Sequence, residues 1–342
     1  MRPQIARLEV ANPPDSFSQE EMLGLLGLEG NEFAERIFDR SGVKTRRFDV
    51  GVTNGLLRKN LQERAPRTEE QLLELAVEAV DQLDIDPADI GTVITSNYYS
   101  LGGPTLAHRL LAHYEMDPGT DKYHILGVGC ASAVPLFKLA GQALRDHPEK
   151  HALVVAADSI TGFLTPVAED DERAKIVGSA LFGDGCAAAL LTGGSRNGAP
   201  VVAATRVHQV GQTLDAVAFQ LHADDSYMHI GRELPAIAEE ELGGLVDAFL
   251  ADYALQQSDV DHWLIHPGGR GIIEGAQKGL SLGDDDVAIS TGVLADFGNM
   301  GTPSSFYVLK RTVEQRRPAP EDTGLMVTIG PGVTVGLMLL SW

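Results

Sequence analysis

A chain of 342 residues can bury a large core, either as one big domain or as two fused halves. With 27 basic and 48 acidic residues its formal charge is −21, which excludes nucleic acid or an anionic membrane as the main partner and obliges any anionic substrate to find a local basic patch. The opening MRPQIARLEVANPP lacks the apolar core of a signal peptide, no run approaches the roughly 18 apolar residues of a membrane span, and the two cysteines permit one disulfide at most, so a cytoplasmic protein with free thiols is expected.

Along the chain, Thr68-Glu69-Glu70-Gln71 reads as a capping box that opens a helix burying Leu72, Ala76, Ala79 and Leu83 on one face. Asp86-Pro87 punctuates its exit. The apolar runs GTVITSN, YHILGVG, HALVVAADS, AAALLTG, VVAATRV, HWLIHPG and LMVTIGP then predict strands, with helical patterns between them. Strands separated by helices imply an α/β protein whose sheets are covered on both faces. The Gly/Pro-bearing stretch GGSRNGAP (193–200) is the best boundary between a first half, 1–195, and a second, 196–342.

Three short segments carry candidate chemistry. In YHILGVGCASAVPLFKLAGQAL an apolar strand ends in Gly-Val-Gly, and a helix pattern begins after Cys130, with Pro135 tolerable only in its first turn. A cysteine at such a turn meets the helix N-terminus, which favours the thiolate and places backbone amides where an oxyanion would form. A small buried cysteine in a Gly-rich turn would spell the same letters. In HWLIHPGGRG, His266 ends a strand and Pro267-Gly268-Gly269 lets backbone approach a ligand, while His262 at the other end reads as structural. In DFGNMGTPSS, Asn299 lies in a Gly-rich loop ahead of a helix. Each signal alone is weak. Together they supply a nucleophile, an imidazole and an amide donor at strand ends. The chain lacks G-x-G-x-x-G, a P-loop, H-E-x-x-H, paired cysteine ligands and a G-x-S-x-G elbow, so dinucleotide, phosphate, metal and serine-hydrolase chemistries are disfavoured. A cysteine protease uses the same three residue types and stays open at this point.

The order GVGCASA, ALFGDGCAAALL, HPGG, FGNM and IGPGVTV resembles the type III polyketide synthases, the chalcone- and stilbene-synthase-like family, related to ketoacyl-acyl-carrier-protein synthase III and to thiolases. The likeness runs almost end to end, from ANPPDSF and FDRSGVKTRRF to the final strand, and HPGG with GNM is its most specific pair. It implies a thiolase-like five-layered αβαβα fold of two similar halves, working as a homodimer. It also implies decarboxylative Claisen condensation of acyl-CoA with malonyl-CoA or methylmalonyl-CoA, with coenzyme A thioesters as substrates and no bound cofactor. An acyl carrier protein is a further partner to consider. A ketoacyl synthase III-like single-condensation enzyme, or an acyltransferase, is the alternative on the same fold.

Residue by residue, the resemblance places the nucleophile on Cys130, the catalytic histidine on His266 and the asparagine on Asn299. The phenylalanine between substrate tunnel and reaction cavity falls on Phe182, and the loop shaping the cavity wall on Gly330, Pro331 and Gly332. The coenzyme A-facing basic stretch is similar to Arg40, Lys44, Arg46 and Arg47. The chain departs from the plant enzymes at Met228, where they carry a second gatekeeping Phe, and at Ala131, where they also carry Phe. It departs again at Leu164 and Phe219, where Thr and Gly are common, and at Gly301, where Ser is common. Leu164 and Phe219 would shrink the pocket, which implies few extensions.

Overall fold

The computed structural model describes residues 2–49, 61–98, 102–159, 173–194, 198–221 and 226–342. In chain order the elements are β1 (Gln4–Ala11), β2 (Asp15–Ser18), α1 (Gln19–Leu25), α2 (Glu32–Arg40), β3 (Thr45–Phe48), α3 (Leu61–Asp81), β4 (Ile90–Ser96), α4 (Leu106–His113), β5 (Asp121–Ile125), α5 (Ala133–Asp146), β6 (His151–Asp158), α6 (Arg173–Leu181) and β7 (Gly185–Thr192). They continue with β8 (Val201–Gln209), β9 (Val217–Leu221), β10 (Ser226–Ile230), α7 (Leu234–Ala251), β11 (His262–Ile265), α8 (Arg270–Gly279), α9 (Asp284–Phe297), α10 (Pro303–Arg311), β12 (Thr323–Gly330) and β13 (Thr334–Ser341).

Nine strands follow the order β11-β12-β13-β8-β1-β7-β6-β4-β5. The ladder between β1 and β8 is a single residue pair, Gln4 with Val201, flanked by bonds from the Ile5 amide to Pro200 and from the Val202 amide to Pro3, so the array is two half-sheets joined at a short seam. Each half mixes directions: β4 runs parallel to β5 and β6, β11 runs parallel to β12, and the remaining neighbours are antiparallel. The link between the halves passes through 193–200, of which 195–197 lie outside the described residues.

Strand alternation builds the layers. On β6, Val154 and Ala156 face a central core with Ala187, Ala189 and Leu191 of β7, whereas Leu153, Val155, Cys186, Ala188 and Leu190 face the opposite side. The central core is filled by α5 and α10, whose Phe137 and Phe306 rings stack at 5.0 Å, and it takes Leu264, Met326 and Met338 from the second half-sheet. The outer face of the first half is covered by α3 and α4 through Leu72, Leu75, Ala76 and Leu110. The outer face of the second is covered by α7 and α8 through Leu242, Phe249, Ile272 and Ala276. The sequence of layers is therefore α, β, α, β, α, the expected five. With both faces buried, β4, β6, β7, β11 and β12 are nearly continuous apolar runs and legible as such, whereas β5 and β8 are largely half-buried or exposed.

One local expectation is corrected. Thr68 does not cap α3. The described helix already runs at Leu61, passes through Pro66, and uses the Thr68 hydroxyl to back-bond the Arg64 carbonyl at 3.2 Å. The buried face is as read, with Leu72, Ala76, Ala79 and Leu83 all inside. Asp86 instead caps the short 3₁₀ turn Pro87–Asp89, accepting from the Ala88 amide at 2.9 Å.

Candidate active site at the junction of the halves

The nucleophile candidate rides on a 3₁₀ turn, Gly129–Ser132, that delivers the chain from β5 into α5. Gly129 has φ +54, and a Cβ there would lie 2.5 Å from the Tyr98 ring and 2.8 Å from Pro331. The turn needs glycine both for its conformation and for those two neighbours. The Gly330-Pro331-Gly332 loop presses on it from the second half: a Cβ on Gly330 would sit 2.7 Å from the Ala131 amide nitrogen and the Val128 carbonyl oxygen. Gly332 takes φ +63 beside Leu214.

Asn299 comes from the loop between α9 and α10. Its side-chain oxygen accepts from the Gly301 amide at 2.9 Å, and Nδ2 donates to the Gly268 carbonyl at 3.2 Å. These two bonds orient the amide, and its nitrogen stands 4.0 Å from Cys130 Sγ while its oxygen stands at 3.9 Å. The main chain of Asn299 bridges to Phe182: its N–H donates to the Leu181 carbonyl at 2.8 Å and its carbonyl accepts from Gly183 at 3.1 Å. Phe182 itself is 5% exposed.

His266 follows β11, and its amide donates to the Val327 carbonyl of β12. Its Nδ1 pairs with the Ser305 hydroxyl at 3.2 Å, and Nε2 is buried with no partner among the described residues. The ring abuts Gly268, the residue whose carbonyl Asn299 holds: a Cβ on Gly268 would lie 3.4 Å from Nε2. Imidazole and amide therefore converge on one glycine, with the thiol across from the amide. Three segments far apart in the chain meet here: the turn after β5, the end of β11 and the loop between α9 and α10.

A fourth group was missed. Asp158 ends β6, is 1% exposed, and accepts from the amides of Tyr98 at 2.7 Å and Thr302 at 2.9 Å. The Thr302 hydroxyl in turn donates to the Gly129 carbonyl at 2.9 Å. A Cβ on Gly301 would come within 2.4 Å of the Asp158 carboxylate, and its φ of +69 also favours glycine, so a side chain at this position would displace the aspartate. The rule that singled out His266, a polar residue closing a buried strand, applies equally to Asp158 in HALVVAADS.

Burial governs the charges. Desolvation and then the Asp158 carboxylate push the Cys130 thiol up to about 12, against the weaker lowering effect of Asn299 and of the backbone. Desolvation raises Asp158 to about 7 despite the amides that stabilise its anion. The same effect lowers His266 to about 3. Burial therefore favours thiol over thiolate at Cys130 and neutral imidazole at His266, against the thiolate that a helix N-terminus alone predicts. The physical reason is that desolvation penalises either charge more than the turn's amides repay, with His266 buried and Cys130 partly so.

The pocket candidates divide. Phe219 and Met228 are direct cross-strand partners on the β9–β10 hairpin, and Tyr98 joins them, its ring 5.2 Å from Phe219 and its hydroxyl 4.0 Å from the Met228 sulfur. The same ring reaches the turn before Cys130, where a Cβ on Gly129 would lie 2.5 Å from it, and burial, then Cys130 and Asp158, raise its phenol. Leu164 lies outside the described residues. Of the basic stretch, Arg40 and Lys44 are exposed and Arg47 is half-buried, donating to the Pro14 carbonyl at 2.8 Å. Arg46 is corrected: it is fully buried and bonded to backbone carbonyls, so it cannot meet coenzyme A at the surface. His262 pairs with Asp322 at 2.8 Å, away from the site. Among the described residues no cluster of His, Cys, Asp and Glu would hold a metal, and no helix is long and apolar enough to cross a membrane.

The profile described as FAE1/type III polyketide synthase-like protein matches residues 10–253, and that of the chalcone and stilbene synthase C-terminal domain matches 202–341. The chain belongs to the type III polyketide synthase-like family. Among its curated relatives is a 1,3,6,8-tetrahydroxynaphthalene synthase of Streptomyces peucetius subsp. caesius, 27% identical over 99% of this chain and 93% of the relative. Another is the alpha-pyrone synthesis polyketide synthase-like Pks18 of Mycobacterium tuberculosis, 29% identical over 89% of this chain and 81% of that one. The crystal structure of PKS-I from the brown alga Ectocarpus siliculosus superposes with a TM-score of 0.91 at 26% identity, covering 99% of this chain and 98% of that one. A cysteine protease is thereby excluded, and the single-condensation alternative gives way to the polyketide synthase reading.

Proposed function

We propose that this type III polyketide synthase loads an acyl-CoA starter on Cys130 and extends it with malonyl-CoA, or methylmalonyl-CoA, by decarboxylative Claisen condensation. The observation that carries the assignment of roles is the Asn299 amide nitrogen held 4.0 Å from the Cys130 sulfur, beside His266, whose buried Nε2 has no partner among the described residues. In loading, the thiol proton passes to the neutral imidazole as sulfur attacks the thioester carbonyl. A Cys130 S–C bond forms, the coenzyme A S–C bond breaks, and the departing thiolate takes the proton back. In extension, malonyl-CoA loses carbon dioxide, and the electron pair left behind is held as an enolate by N–H donors from Asn299 and His266. The enolate carbon attacks the acyl carbonyl, a C–C bond forms, the Cys130 S–C bond breaks, and the departing Cys130 thiolate takes a proton from solvent to restore the thiol. Ser305 suits both stages: as acceptor from Nδ1 it leaves Nε2 bare for the thiol proton, and as donor it leaves Nε2–H facing the thioester oxygen.

Phe219, Met228 and Tyr98 crowd the space beside the nucleophile, which favours one to three extensions and short, pyrone-like products. Arg40 and Lys44 supply the exposed charge for coenzyme A. The working form is a homodimer in a reducing cytosol, in keeping with two free thiols, and an acyl carrier protein is the second donor to try. The test is mass spectrometry of products from a panel of starter-CoAs with malonyl-CoA, alongside intact-protein mass. An acyl adduct on Cys130 that Cys130→Ala abolishes, and product masses rising by malonyl-derived units, are the expected results. Labelling of Cys186 would refute the nucleophile. Release of free acid or acyl transfer without malonyl consumption would refute the condensation.

A further inference from the structure

Arg46 presents a problem that the site as described does not solve. A guanidinium at 0% exposure has lost its hydration, and such groups are ordinarily paired with a carboxylate. Here its hydrogen-bond partners among the described residues are two backbone carbonyls and an amide oxygen: Nη1 donates to Ser179 and, at 3.0 Å, to Phe182, and Nη2 donates to Gln19 Oε1 at 2.6 Å. Phe38 and Phe48 flank it, their ring centres 5.6 and 5.3 Å from the guanidinium carbon.

The carbonyls it holds belong to the end of α6. The last carbonyls of a helix have no partner within it, and together they carry the negative end of the helix dipole, which suits a cation. Each is satisfied from outside. Ser179 and Phe182 go to Arg46, Ala180 goes to Gln19 Nε2 at 2.9 Å, and Leu181 goes to the amide of Asn299 at 2.8 Å. The stem of Arg46 also lies against both strands of the Phe182–Asn299 bridge. A Cβ on Gly298 would fall 3.0 Å from its Cγ and Cδ, and one on Gly183 would fall 3.5 Å from its Cβ. Gly298, at φ +69, is the residue before Asn299, and Gly183 is the residue after Phe182.

We infer that Arg46 is a positioning residue for condensation: by clamping the C-terminal end of α6 against the Phe182–Asn299 bridge, it fixes the Asn299 amide at its distance from Cys130. The inference rests on the role proposed above for Asn299. Burial draws the Arg46 guanidinium down to about 9, so the clamp keeps its charge at neutral pH. Lysine at this position would keep a cation but offer one nitrogen where the guanidinium spans three acceptors in a plane.

The test compares two partial reactions. Loading of Cys130 by a starter-CoA, followed by intact mass, needs the thiol. Decarboxylation and condensation of malonyl-CoA need Asn299. In folded Arg46→Lys the loading rate should match the parent while condensation falls roughly 10- to 100-fold, the size of effect that a misplacement of about 1 Å produces. Gln19→Ala, which removes the donor to Ala180 and the acceptor of Nη2, should show a smaller loss in the same direction, and it decides the matter if Arg46→Lys does not fold. Condensation unchanged in the folded variants, or both rates falling together with the folded fraction, overturns the clamp. Asn299→Ala run in parallel separates the failures. If it abolishes condensation and the clamp variants do not, only the clamp is wrong; if it leaves condensation intact, the reading of the site falls and the clamp with it.

Discussion

Cys130, the proposed nucleophile, sits between two demands, since a nucleophile favours the anion and burial opposes it. Desolvation favours the neutral thiol beside a neutral imidazole, and the consequence is measurable. Inactivation by iodoacetamide in the absence of substrate should have a midpoint above the roughly 8.5 of an ordinary thiol. At those pH values Asp158, near 7, is ionised and opposes the thiolate. Asp158→Asn removes that charge, so the midpoint should move down; a shift upward, or none, would show that the carboxylate does not act on the sulfur. His266 carries the linked prediction for stability. Its folded-state value near 3 lies below the unfolded 6.5, so its contribution is complete above 6.5 and is lost as pH falls toward 3. The thermal midpoint should therefore drop between pH 7 and pH 5 by less in His266→Gln than in the parent. An equal drop in both proteins would mean that the imidazole is solvated and charges freely.

At the scale of elements, the proposed limit on product size lies on the antiparallel pair β9 and β10. Phe219 and Met228 face each other across it, and Tyr98 packs on the pair from the end of β4. Phe219→Gly removes the ring and should lengthen the products by one or more extensions in a mass-spectrometric profile, at a stability cost of about 1 kcal/mol for glycine in a strand. Unchanged product lengths would place the limit elsewhere. The buried strands β4, β6, β7, β11 and β12 were legible because they are apolar runs, and Cys130, His266 and Asn299 because each stands close to a glycine where an element ends. What was illegible depended on tertiary partners. Arg46 reads as one more cation in KTRRF, and only the rings of Phe38 and Phe48 and the end of α6 reveal it as interior. Thr68 spells a capping box, yet nothing in its own turn shows that the helix started earlier and would use the hydroxyl for Arg64. β1, QIARLEVA, alternates too many charges to resemble a core strand, and it gains its place by pairing with β7.

For the whole molecule the governing quantity is the charge of −21 against a substrate whose coenzyme A moiety is itself a polyanion. With Arg46 interior and Arg47 tied to Pro14, the exposed cations of the expected patch reduce to Arg40 and Lys44. Two fields of opposite sign and different range therefore act on an arriving thioester. At 10 mM salt the screening length of about 30 Å lets the acidic surface as a whole repel it, whereas at 150 mM the length of about 8 Å leaves only the local cations within reach. Raising salt from 10 to 150 mM should consequently lower the KM for a starter-CoA, the reverse of an enzyme with a net basic face. Arg40→Ala should raise KM at 150 mM while leaving kcat in place, since this side chain is outside the reacting centre. A KM that climbs steadily with salt across the range would show that the local patch outweighs the global field even at low ionic strength. An Arg40→Ala KM equal to the parent's would move the coenzyme A contact off the end of α2.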